Sequence, residues 1–534
     1  VELHGNMQRP SAEGSGLRAA VAYDPRHRSR EFAELSAEVL AAHGFCVQWL
    51  DGCRSTPALA LTVRVKRCVC GVMVSASHNP PSDNALKIFW QHGGQLREPH
   101  DTEIMERIRH VREIQRLPFQ LAMERGLIDS CEREIDQIYV RAVHNASADR
   151  GAGPRALRIY FSPLQGVGAT SVLPALRSDG FDDISVHGPH AQQDPDFAGV
   201  PDQSANPENP RVFDELIVAA DAMNADLILA SDPDADRLGA AAPVSRSSEG
   251  SLSALPIAAN DPRQPRERWS FLTGNQIAAI LAEFLLAERA RGGKLSPRDF
   301  VVKTLVTTNL LARITEHYGV QLFGEVLTGF KWIGALVDEH GPEHFVLGTE
   351  EAHGYLIGTH IRDKDAAVAS MVLAECAAHA KAAGRTLIDE LDRIHLKYGF
   401  HAERSFSLTM PGANGIRQMQ AILTDFQMQP PPRWGGVAWH KFRDYQSQRC
   451  VLADGSSGHL EGPHGSVLVW DDAEGEPLLA LRPSGTEPKL KFSLFGRDRP
   501  VPRDELPNSR ARVLDQLELR ERDVRSIVGA LQNG

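Results

Sequence analysis

The chain has 534 residues, of which 42% are hydrophobic, and this is enough to bury several cores, so about three or four domains are predicted. Its formal net charge of −11 disfavours a nucleic-acid partner, and no segment reads as a secretory signal or a membrane-spanning helix, so no membrane partner is expected. Cys68 and Cys70 lack the Cys-x-x-Cys spacing of redox and zinc sites, and the composition predicts a cytoplasmic protein with reduced thiols.

The first stretch alternates between strand and helix patterns. An apolar run at 19–23, apolar residues at helical spacing over 32–40 and a second apolar run at 45–50 predict a β-α-β unit in a largely parallel sheet. Four later apolar runs, each ending in polar or glycine-rich sequence, predict further strands: 157–161, 225–230, 301–306 and 345–348. Ligands bind beyond the carboxyl ends of such strands, so chemistry is expected in these loops.

Changes in composition predict four domains: 1–150, 151–268, 269–400 and 401–534. Residues 145–154 are small, polar and charged, as in a linker. Residues 240–268, rich in Pro, Ser and Arg, are predicted to be an insertion or a loose connection. Beyond residue 400 short strands and a proline-rich run predict a smaller α+β domain. The predicted class is therefore α/β, with three similar units before the C-terminal domain.

A serine turn, Ser75-Ala-Ser-His-Asn-Pro80, follows the apolar run at 70–74. A serine hydroxyl is a poor nucleophile unless a neighbour activates it or it starts phosphorylated, and His78 is a polar neighbour of Ser77. Ser, Asn and Pro are also ordinary turn residues, so local composition alone favours a plain turn.

An acidic loop, Asp232-Pro-Asp-Ala-Asp-Arg237, also follows an apolar run. In an extended segment the alternating side chains of Asp232, Asp234 and Asp236 would face one way, and hard oxygen ligands suit Mg²⁺. A calcium loop of the EF-hand type is excluded because Arg237 stands where that loop requires Gly. A metal site is predicted here, and with Ser77 it forms two halves of a phosphoryl-transfer site.

A paired-glutamate loop, Gly348-Thr-Glu-Glu-Ala-His-Gly354, leaves another predicted strand. Glu350 and Glu351 could accept hydrogen bonds from sugar hydroxyls or act as a general acid/base pair. An acidic turn at the start of a helix is the ordinary alternative, and taken alone this loop favours it.

A phosphate-binding loop is predicted at Arg482-Pro-Ser-Gly-Thr-Glu-Pro-Lys489, behind an apolar run at 478–481. Arg482 can hold a phosphate bidentately, while Ser484, Thr486 and the amides around Gly485 supply further donors. The segment lacks the Gly-Lys-Ser/Thr ending of a Walker loop, and a basic surface turn is the simpler alternative.

These four motifs occur in the order seen in the alpha-D-phosphohexomutase family, which the chain resembles over nearly its whole length. Two further segments share the resemblance, Tyr160-Phe-Ser-Pro-Leu-Gln-Gly-Val-Gly168 and Leu327-Thr-Gly-Phe-Lys-Trp-Ile-Gly334. The chain looks closest to the branch that contains phosphoglucomutase-2, phosphopentomutase and glucose-1,6-bisphosphate synthase. The resemblance implies a heart-shaped protein of four domains: three similar mixed-sheet α/β domains, for phosphoserine, metal and sugar, and a C-terminal phosphate-binding domain.

The resemblance also implies a role for individual residues. It makes Ser77 the phosphoserine, which with Asp232, Asp234 and Asp236 holds Mg²⁺. It places His78 and Arg237 beside that site and gives Lys87 a part in proton transfer. The implied substrate-binding residues are Lys331, Glu350 and Glu351 for the sugar, and Arg482, Ser484, Gly485 and Thr486 for its phosphate.

The implied activity is that of a phosphosugar mutase, which interconverts 1-phosphate and 6- or 5-phosphate forms through a sugar 1,6-bisphosphate. Its partner is a small phosphosugar, and the protein is expected to be a monomer or dimer. The alternatives are a glucose-1,6-bisphosphate synthase and a non-catalytic phosphosugar-binding protein. The second is suggested by the opening segment, where Gly14-Ser-Gly-Leu-Arg18 runs straight into the first strand and predicts a shortened first domain. The arginine that this part would supply is then not assigned, and the sequence leaves open whether Arg18 or Arg26 substitutes for it.

Overall fold

A computed structural model of the chain describes residues 16–244, 268–412, 414–484 and 488–533. By packing, these residues divide into two compact units, one of residues 16–244, 268–302 and 329–390, the other drawn from residues 303–328 and 391–533. Among the helices described, none is both long enough and apolar enough to cross a membrane.

The first unit opens with a five-stranded mixed sheet and its helices. Their bounds are β1 (Arg18–Tyr23), α1 (Ser29–Ala42), β2 (Cys46–Trp49), α2 (Thr56–Val65), β3 (Cys70–Val74), β4 (Leu86–Trp90), α3 (His100–His110), α4 (Phe119–Glu124), β5 (Ile128–Ser130) and α5 (Glu132–His144). The strand order is β4–β3–β1–β2–β5, and only β4 runs antiparallel to its neighbour. Central β1 is buried at every position after Arg18, which is why it reads as a continuous apolar run.

A second mixed sheet follows. Its elements are β6 (Ile159–Ser162), α6 (Gly168–Ser178), β7 (Ile184–Val186), α7 (Gly188–Ala191), α8 (Phe213–Ala222), β8 (Leu227–Ser231), β9 (Leu238–Pro243) and β10 (Trp269–Leu272). The order is β10–β9–β8–β6–β7, with β7, β6 and β8 parallel and β9 and β10 antiparallel. Residues 240–243 were predicted to be part of an insertion, but they belong to β9, where three consecutive alanines are fully buried. Residues 245–267 of that predicted insertion lie outside the described part of the chain.

The third group of elements continues the α/β alternation. Its bounds are α9 (Gly274–Arg291), β11 (Phe300–Thr304), α10 (Leu310–Tyr318), β12 (Gln321–Val326), α11 (Phe330–His340), β13 (Phe345–Glu350), β14 (Gly354–Ile357), α12 (Ala366–Ala382) and α13 (Leu387–Tyr398). A third sheet contains β11, β13 and β14, and β13 and β14 form an antiparallel hairpin. Helix α9 begins with a capping box, in which the Thr273 and Gln276 side chains each accept from the other's backbone amide.

The C-terminal part of the second unit is antiparallel. Its elements are β15 (His401–Thr409), α14 (Gly415–Met428), β16 (Arg433–Trp434), β17 (Val437–Ala438), β18 (Lys441–Asp444), β19 (Arg449–Leu452), β20 (Ser457–His459), β21 (Leu468–Asp471), β22 (Pro477–Pro483), β23 (Lys489–Arg497) and α15 (Leu506–Asn533). Seven strands form one sheet in the order β15–β23–β22–β21–β18–β19–β20, and residues of α14 and α15 pack with it in one core. The predicted class, mixed α/β domains followed by an α+β domain, is confirmed; the bounds of the four predicted domains stay predictions.

The predicted linker after the first domain is fixed to α12 by a buried carboxylate. Glu375 of α12 is fully buried and accepts hydrogen bonds from Ser147 Oγ (2.6 Å) and the Ala148 amide (2.9 Å). Burial raises the pKa of Glu375 to about 8, and the charges of Asp179 and Asp149 add to this rise against the opposing effect of the Ser147 hydrogen bond.

Replacing Glu375 with glutamine is therefore expected to change how stability depends on pH. The pKa of this carboxyl group is 4.5 in the unfolded chain and about 8 in the folded protein. Its contribution to the free energy of unfolding is therefore fully present below pH 4.5 and is lost as the pH rises towards about 8. Glutamine does not titrate, so the Tm of Glu375→Gln relative to wild type should be higher at about pH 8 than at about pH 5. A difference that stays constant over this range would show that Glu375 titrates like an exposed glutamate.

Candidate active site

Ser77 lies in the loop that follows β3 and faces the acidic loop. Its side chain donates a hydrogen bond from Oγ to Asp232 Oδ2 at 2.7 Å, and the residue is only 7% exposed. Ser77 adopts φ 54°, a left-handed conformation that is strained for a serine, and its amide donates to Ser75 Oγ at 2.9 Å. The turn thus holds the hydroxyl in a single direction, towards the carboxylates.

Arg26 binds the backbone of the serine loop. Its guanidinium donates to the carbonyl oxygens of Pro80 (2.7 Å), Asn79 (2.6 Å) and Ser77. Arg18, at the start of β1, instead reaches the carbonyl of Lys66. Of the two arginines that the sequence left open, Arg26 is the one at the serine loop, while Gly14 and Ser15 lie outside the described residues.

The three aspartates of the acidic loop converge through a turn. The sequence predicted an extended segment, and this is wrong: β8 ends at Ser231, and Ala235 takes the left-handed φ of 52°. The turn bends around Asp232, whose Oδ1 accepts from the amides of Asp236 (3.1 Å) and Arg237 (3.0 Å). All three carboxylates are buried, and one oxygen from each lies within 4.8 Å of the others.

Two lysines face these carboxylates. Lys87 Nζ lies 2.6 Å from Asp234 Oδ2 and 3.6 Å from Asp236 Oδ2, and Lys364 Nζ lies 3.0 Å from Asp236 Oδ2. Burial alone would lower the pKa of each lysine, but Asp234 outweighs it at Lys87 and Asp236 at Lys364, so both pKa values are raised. The pKa of Asp232 is raised by burial and by its acidic neighbours. Sequence reasoning missed Lys364, because it stands in the charged run Arg362-Asp-Lys-Asp365, which resembles an exposed surface segment.

The donor set fits a divalent cation. Asp234 Oδ1 and Asp236 Oδ1 are buried and accept no hydrogen bond from the described chain. Buried carboxylate oxygens without partners are costly, and hard oxygen ligands are those that Mg²⁺ prefers. The three aspartates could therefore hold a metal ion.

His78 is neutral, whereas Arg237, the last residue of the acidic loop, is positively charged. Burial, followed by the positive charge of Arg237, lowers the pKa of His78 to about 4, so its ring is neutral at pH 7. Arg237 donates from Nη1 to Glu208 Oε1 at 2.6 Å. Burial opposes the charge of Arg237, but Glu208 and the aspartates outweigh this effect and keep its pKa raised.

The paired glutamates lie at a hairpin turn. Glu350 is the last residue of β13 and Glu351 begins the turn to β14, so the acidic helix start that the sequence alone favoured is wrong. Glu350 Oε1 accepts from the Gly329 amide at 2.6 Å, and burial raises the pKa of Glu350. The turn is joined to the acidic loop because the Leu238 amide donates to the His353 carbonyl at 3.1 Å.

Lys331 lies near this hairpin but binds another carboxylate. It is in the first turn of α11, two residues after Gly329, and its Nζ is 3.1 Å from Asp101 Oδ2 on α3. Its ammonium also lies 5.4 Å from the centre of the Trp332 ring.

The predicted phosphate loop belongs to the second unit. Arg482 lies within β22, which extends beyond the predicted strand end, and its Nη1 donates to Thr328 Oγ1 at 3.1 Å. Its Nε is buried and makes no hydrogen bond with the described residues. Ser484 closes the described part of the loop through a backbone bond to the Lys489 carbonyl at 2.9 Å, whereas Gly485 and Thr486 lie outside the described residues.

Three family models match the chain. Their descriptions are phosphoglucomutase/phosphomannomutase alpha/beta/alpha domain I over residues 4–115, domain II over 137–244 and domain III over 273–394. The described parts of these ranges contain the strands of the three α/β sheets except β5 and β10, which lie between the matched ranges.

Individual proteins agree with these models. The chain is 32% identical to the phosphoglucomutase of Staphylococcus epidermidis over 476 residues, which is 88% of this chain and 81% of that protein. It is 30% identical to the phosphoglucomutase of Staphylococcus aureus over 488 residues, 90% of this chain and 82% of that protein.

Solved structures share the fold. The open form of the Paramecium phosphoglucomutase pp63/parafusin has a TM-score of 0.65 at 18% identity, covering 96% of this chain and 89% of that one. A putative phosphomannomutase from Thermus thermophilus has a TM-score of 0.61 at 19% identity, covering 95% and 91%. As the order of its four motifs predicted, this chain belongs to the alpha-D-phosphohexomutase family, and it is a phosphosugar mutase of the phosphoglucomutase/phosphomannomutase type.

Proposed function

We propose that the protein interconverts the 1-phosphate and 6-phosphate forms of a hexose, with glucose as the first sugar to test, through a phosphate carried on Ser77. The observation that carries this proposal is the 2.7 Å hydrogen bond from Ser77 Oγ to Asp232, which holds a strained, buried hydroxyl against three carboxylates. A hydroxyl held against metal-ligating carboxylates is placed as a phosphoryl carrier requires. The branch of the family to which the chain belongs stays a prediction.

Phosphoryl transfer requires a proton donor and a proton acceptor, and we assign these roles to Lys87 and His78. When the Ser77 O–P bond breaks, the serine oxygen must gain a proton, and the attacking sugar hydroxyl must lose one. The raised pKa of Lys87 keeps a proton on Nζ, so Lys87 suits the donor role. The buried Nδ1 of His78 has no hydrogen-bond partner among the described residues, so we assign His78 the acceptor role. Arg237 adds a fixed positive charge beside them.

Asp232, Asp234 and Asp236, with an oxygen of the Ser77 phosphate, would hold Mg²⁺. The ion would supply positive charge to the phosphoryl oxygens as the group moves. A sugar 1,6-bisphosphate would be the intermediate, and it would also load phosphate onto the unmodified enzyme.

Substrate recognition is assigned to residues outside the acidic loop. Glu350 and Glu351 would accept hydrogen bonds from sugar hydroxyls, and Lys331 would lie at the edge of the sugar. Arg482 and Ser484, with Gly485 and Thr486, would hold the phosphate that does not react. The Nε of Arg482 is buried and has no hydrogen-bond partner in the part of the chain that the structure describes, which supports this role because a phosphate oxygen would satisfy it. A cytoplasmic location and a monomeric or dimeric state stay predictions.

The Arg482→Lys variant is expected to bind the phosphosugar more weakly. Lysine cannot reproduce the planar two-pronged contact, so KM should rise about 10- to 100-fold while kcat changes little. Arg499→Lys, at an arginine whose side chain is 83% exposed, is the matched control and should keep the wild-type KM. Equal KM values for Arg482→Lys and Arg499→Lys would show that Arg482 does not bind the substrate.

The direct test of the proposed function combines mass spectrometry with an assay of turnover. The purified protein is incubated with glucose 1,6-bisphosphate and Mg²⁺, and the phosphorylated residue is mapped by fragmentation. Phosphate on Ser77 that is lost to glucose 1-phosphate, as glucose 6-phosphate appears, is the expected result. No phosphate on Ser77 under these conditions would contradict the proposal.

A further inference from the structure

A second group of metal-ligating side chains lies on the sheet that carries the acidic loop. His187 directly follows β7, His190 lies in the short helix α7, and Glu215 is in the first turn of α8. One ligand atom from each of these three residues lies within 4.8 Å of the others. The cluster has no part in the phosphoryl-transfer site described above.

His187 has one ring nitrogen satisfied and one without a partner. Its Nδ1 lies 2.9 Å from the hydroxyl of Tyr160, while its buried Nε2 forms no hydrogen bond with the described chain. The Glu215 carboxylate lies 3.9 Å from Nε2, too far for a hydrogen bond. The residue is only 6% exposed, so Nε2 is a buried polar atom that requires a partner.

His190 is held in one tautomer, which leaves a lone pair on one ring nitrogen. Its Nε2 lies 2.8 Å from the carbonyl oxygen of Gly199, and a carbonyl can only accept, so Nε2 carries the proton. The lone pair therefore lies on Nδ1, 2.9 Å from the Ser162 hydroxyl. A hydroxyl can rotate away when a stronger ligand binds, and the Gly199 contact would still orient the ring.

We propose that His187, His190 and Glu215 form a second metal site, which takes Zn²⁺ or a similar transition-metal ion. Two imidazoles and one carboxylate are a known three-ligand set for zinc, with water in the fourth position. Imidazole nitrogen favours such ions over Mg²⁺, so the two sites differ in selectivity.

Burial and access agree with the proposal. Both histidines are buried, and each ring is oriented by a contact through its other nitrogen. The Glu215 side chain is 63% exposed, so it can move the short distance that coordination requires and leaves an entry path from solvent. Tyr160 on Nδ1 of His187 would act as the outer hydrogen-bond partner that orients a ligating imidazole.

The proposed site is joined to the acidic loop by the segment that follows β6. The Gln165 amide donates to the His190 carbonyl at 3.0 Å, and the Val167 amide donates to the Pro233 carbonyl at 2.9 Å. Pro233 lies between Asp232 and Asp234. A metal ion on the histidines would therefore stabilise the strand ends that also hold the acidic loop.

The test is zinc titration by isothermal calorimetry on the full chain, with Mg²⁺ present in saturating excess to occupy the acidic loop. The expected result is about one equivalent of Zn²⁺ per wild-type chain, with a rise in Tm. The variant Glu215→Gln should bind zinc at least about tenfold more weakly. Its matched control is Glu31→Gln, an equally exposed glutamate in the first turn of α1, which should bind zinc as the wild type does.

Cobalt substitution gives a second readout. Co²⁺ bound to nitrogen and oxygen ligands gives visible bands without the intense near-ultraviolet absorption of thiolate ligands, so binding at cysteine is recognised. These bands should be absent from His187→Gln, and Glu215→Gln should need at least about tenfold more Co²⁺ to reach half of the wild-type intensity. Zinc binding by Glu215→Gln with wild-type stoichiometry and affinity, or no zinc binding by the wild type, would overturn the proposal. Because Glu215 is exposed, its variant tests the site even if the His187 variant does not fold.

Discussion

Replacing Ser77 with alanine is expected to lower kcat for glucose 1-phosphate by about 10⁴-fold or more, because the variant lacks the oxygen that carries the phosphate. The variant should also show no phosphate at position 77 after incubation with glucose 1,6-bisphosphate. Binding of the phosphosugar should persist, since Glu350 and Arg482 are unchanged. The measurement is turnover by the coupled assay together with intact-mass spectrometry.

The matched control is Ser82→Ala in the same loop. Ser82 is exposed and its hydroxyl donates to the neighbouring Asp83, so this variant should keep wild-type turnover and phosphorylation. Equal activity of Ser77→Ala and wild type would refute the covalent mechanism. If Ser77→Ala is inactive but its Tm is unchanged, the loss of turnover results from the missing hydroxyl and not from misfolding.

The sequence predicted the residues of the acidic loop but not how they meet. Alternation suggested an extended segment, whereas Ala235 turns the chain and the amides of Asp236 and Arg237 bind Asp232. A single residue with positive φ outweighs the period-two pattern, and alanine gives no signal of such a conformation. Residue identity therefore gave the ligands, and the backbone turn gave their geometry.

Contacts distant in sequence were beyond what the pattern could predict. Lys364 approaches Asp236 across more than a hundred residues, and Arg26 reaches the carbonyls of the serine loop some fifty residues on. A lysine between two aspartates looks solvent-exposed in a sequence, and only the fold shows that this one is buried. By contrast, strands such as β1 and β8 were predictable because burial on both faces demands continuous apolar residues.

Removing Mg²⁺ with a chelator is expected to lower turnover by about 10³-fold or more, because a bound cation supplies several kcal/mol of charge stabilisation. The Asp236→Asn variant should require at least about tenfold more Mg²⁺ for half-maximal activity, since one of three anionic ligands is lost. In a readout independent of turnover, Mg²⁺ should raise the Tm of the wild type and raise that of Asp236→Asn less. Asp299→Asn, at a buried aspartate paired with Arg289, is the control and should keep the full Mg²⁺ response.

The balance of charges explains why the lysines alone do not neutralise the site once Ser77 is phosphorylated. In the unmodified protein the three carboxylates are faced by the side chains of Lys87, Lys364 and Arg237, and Ser77 donates a hydrogen bond to Asp232. Phosphorylation removes that donor and places a charge of about −2 beside the same carboxylates. The added anion needs a compensating cation, and Asp234 Oδ1 and Asp236 Oδ1 are the buried oxygens left to receive it. Phosphorylated protein should therefore gain more Tm from Mg²⁺ than unphosphorylated protein, and an equal gain would place the ion away from Ser77.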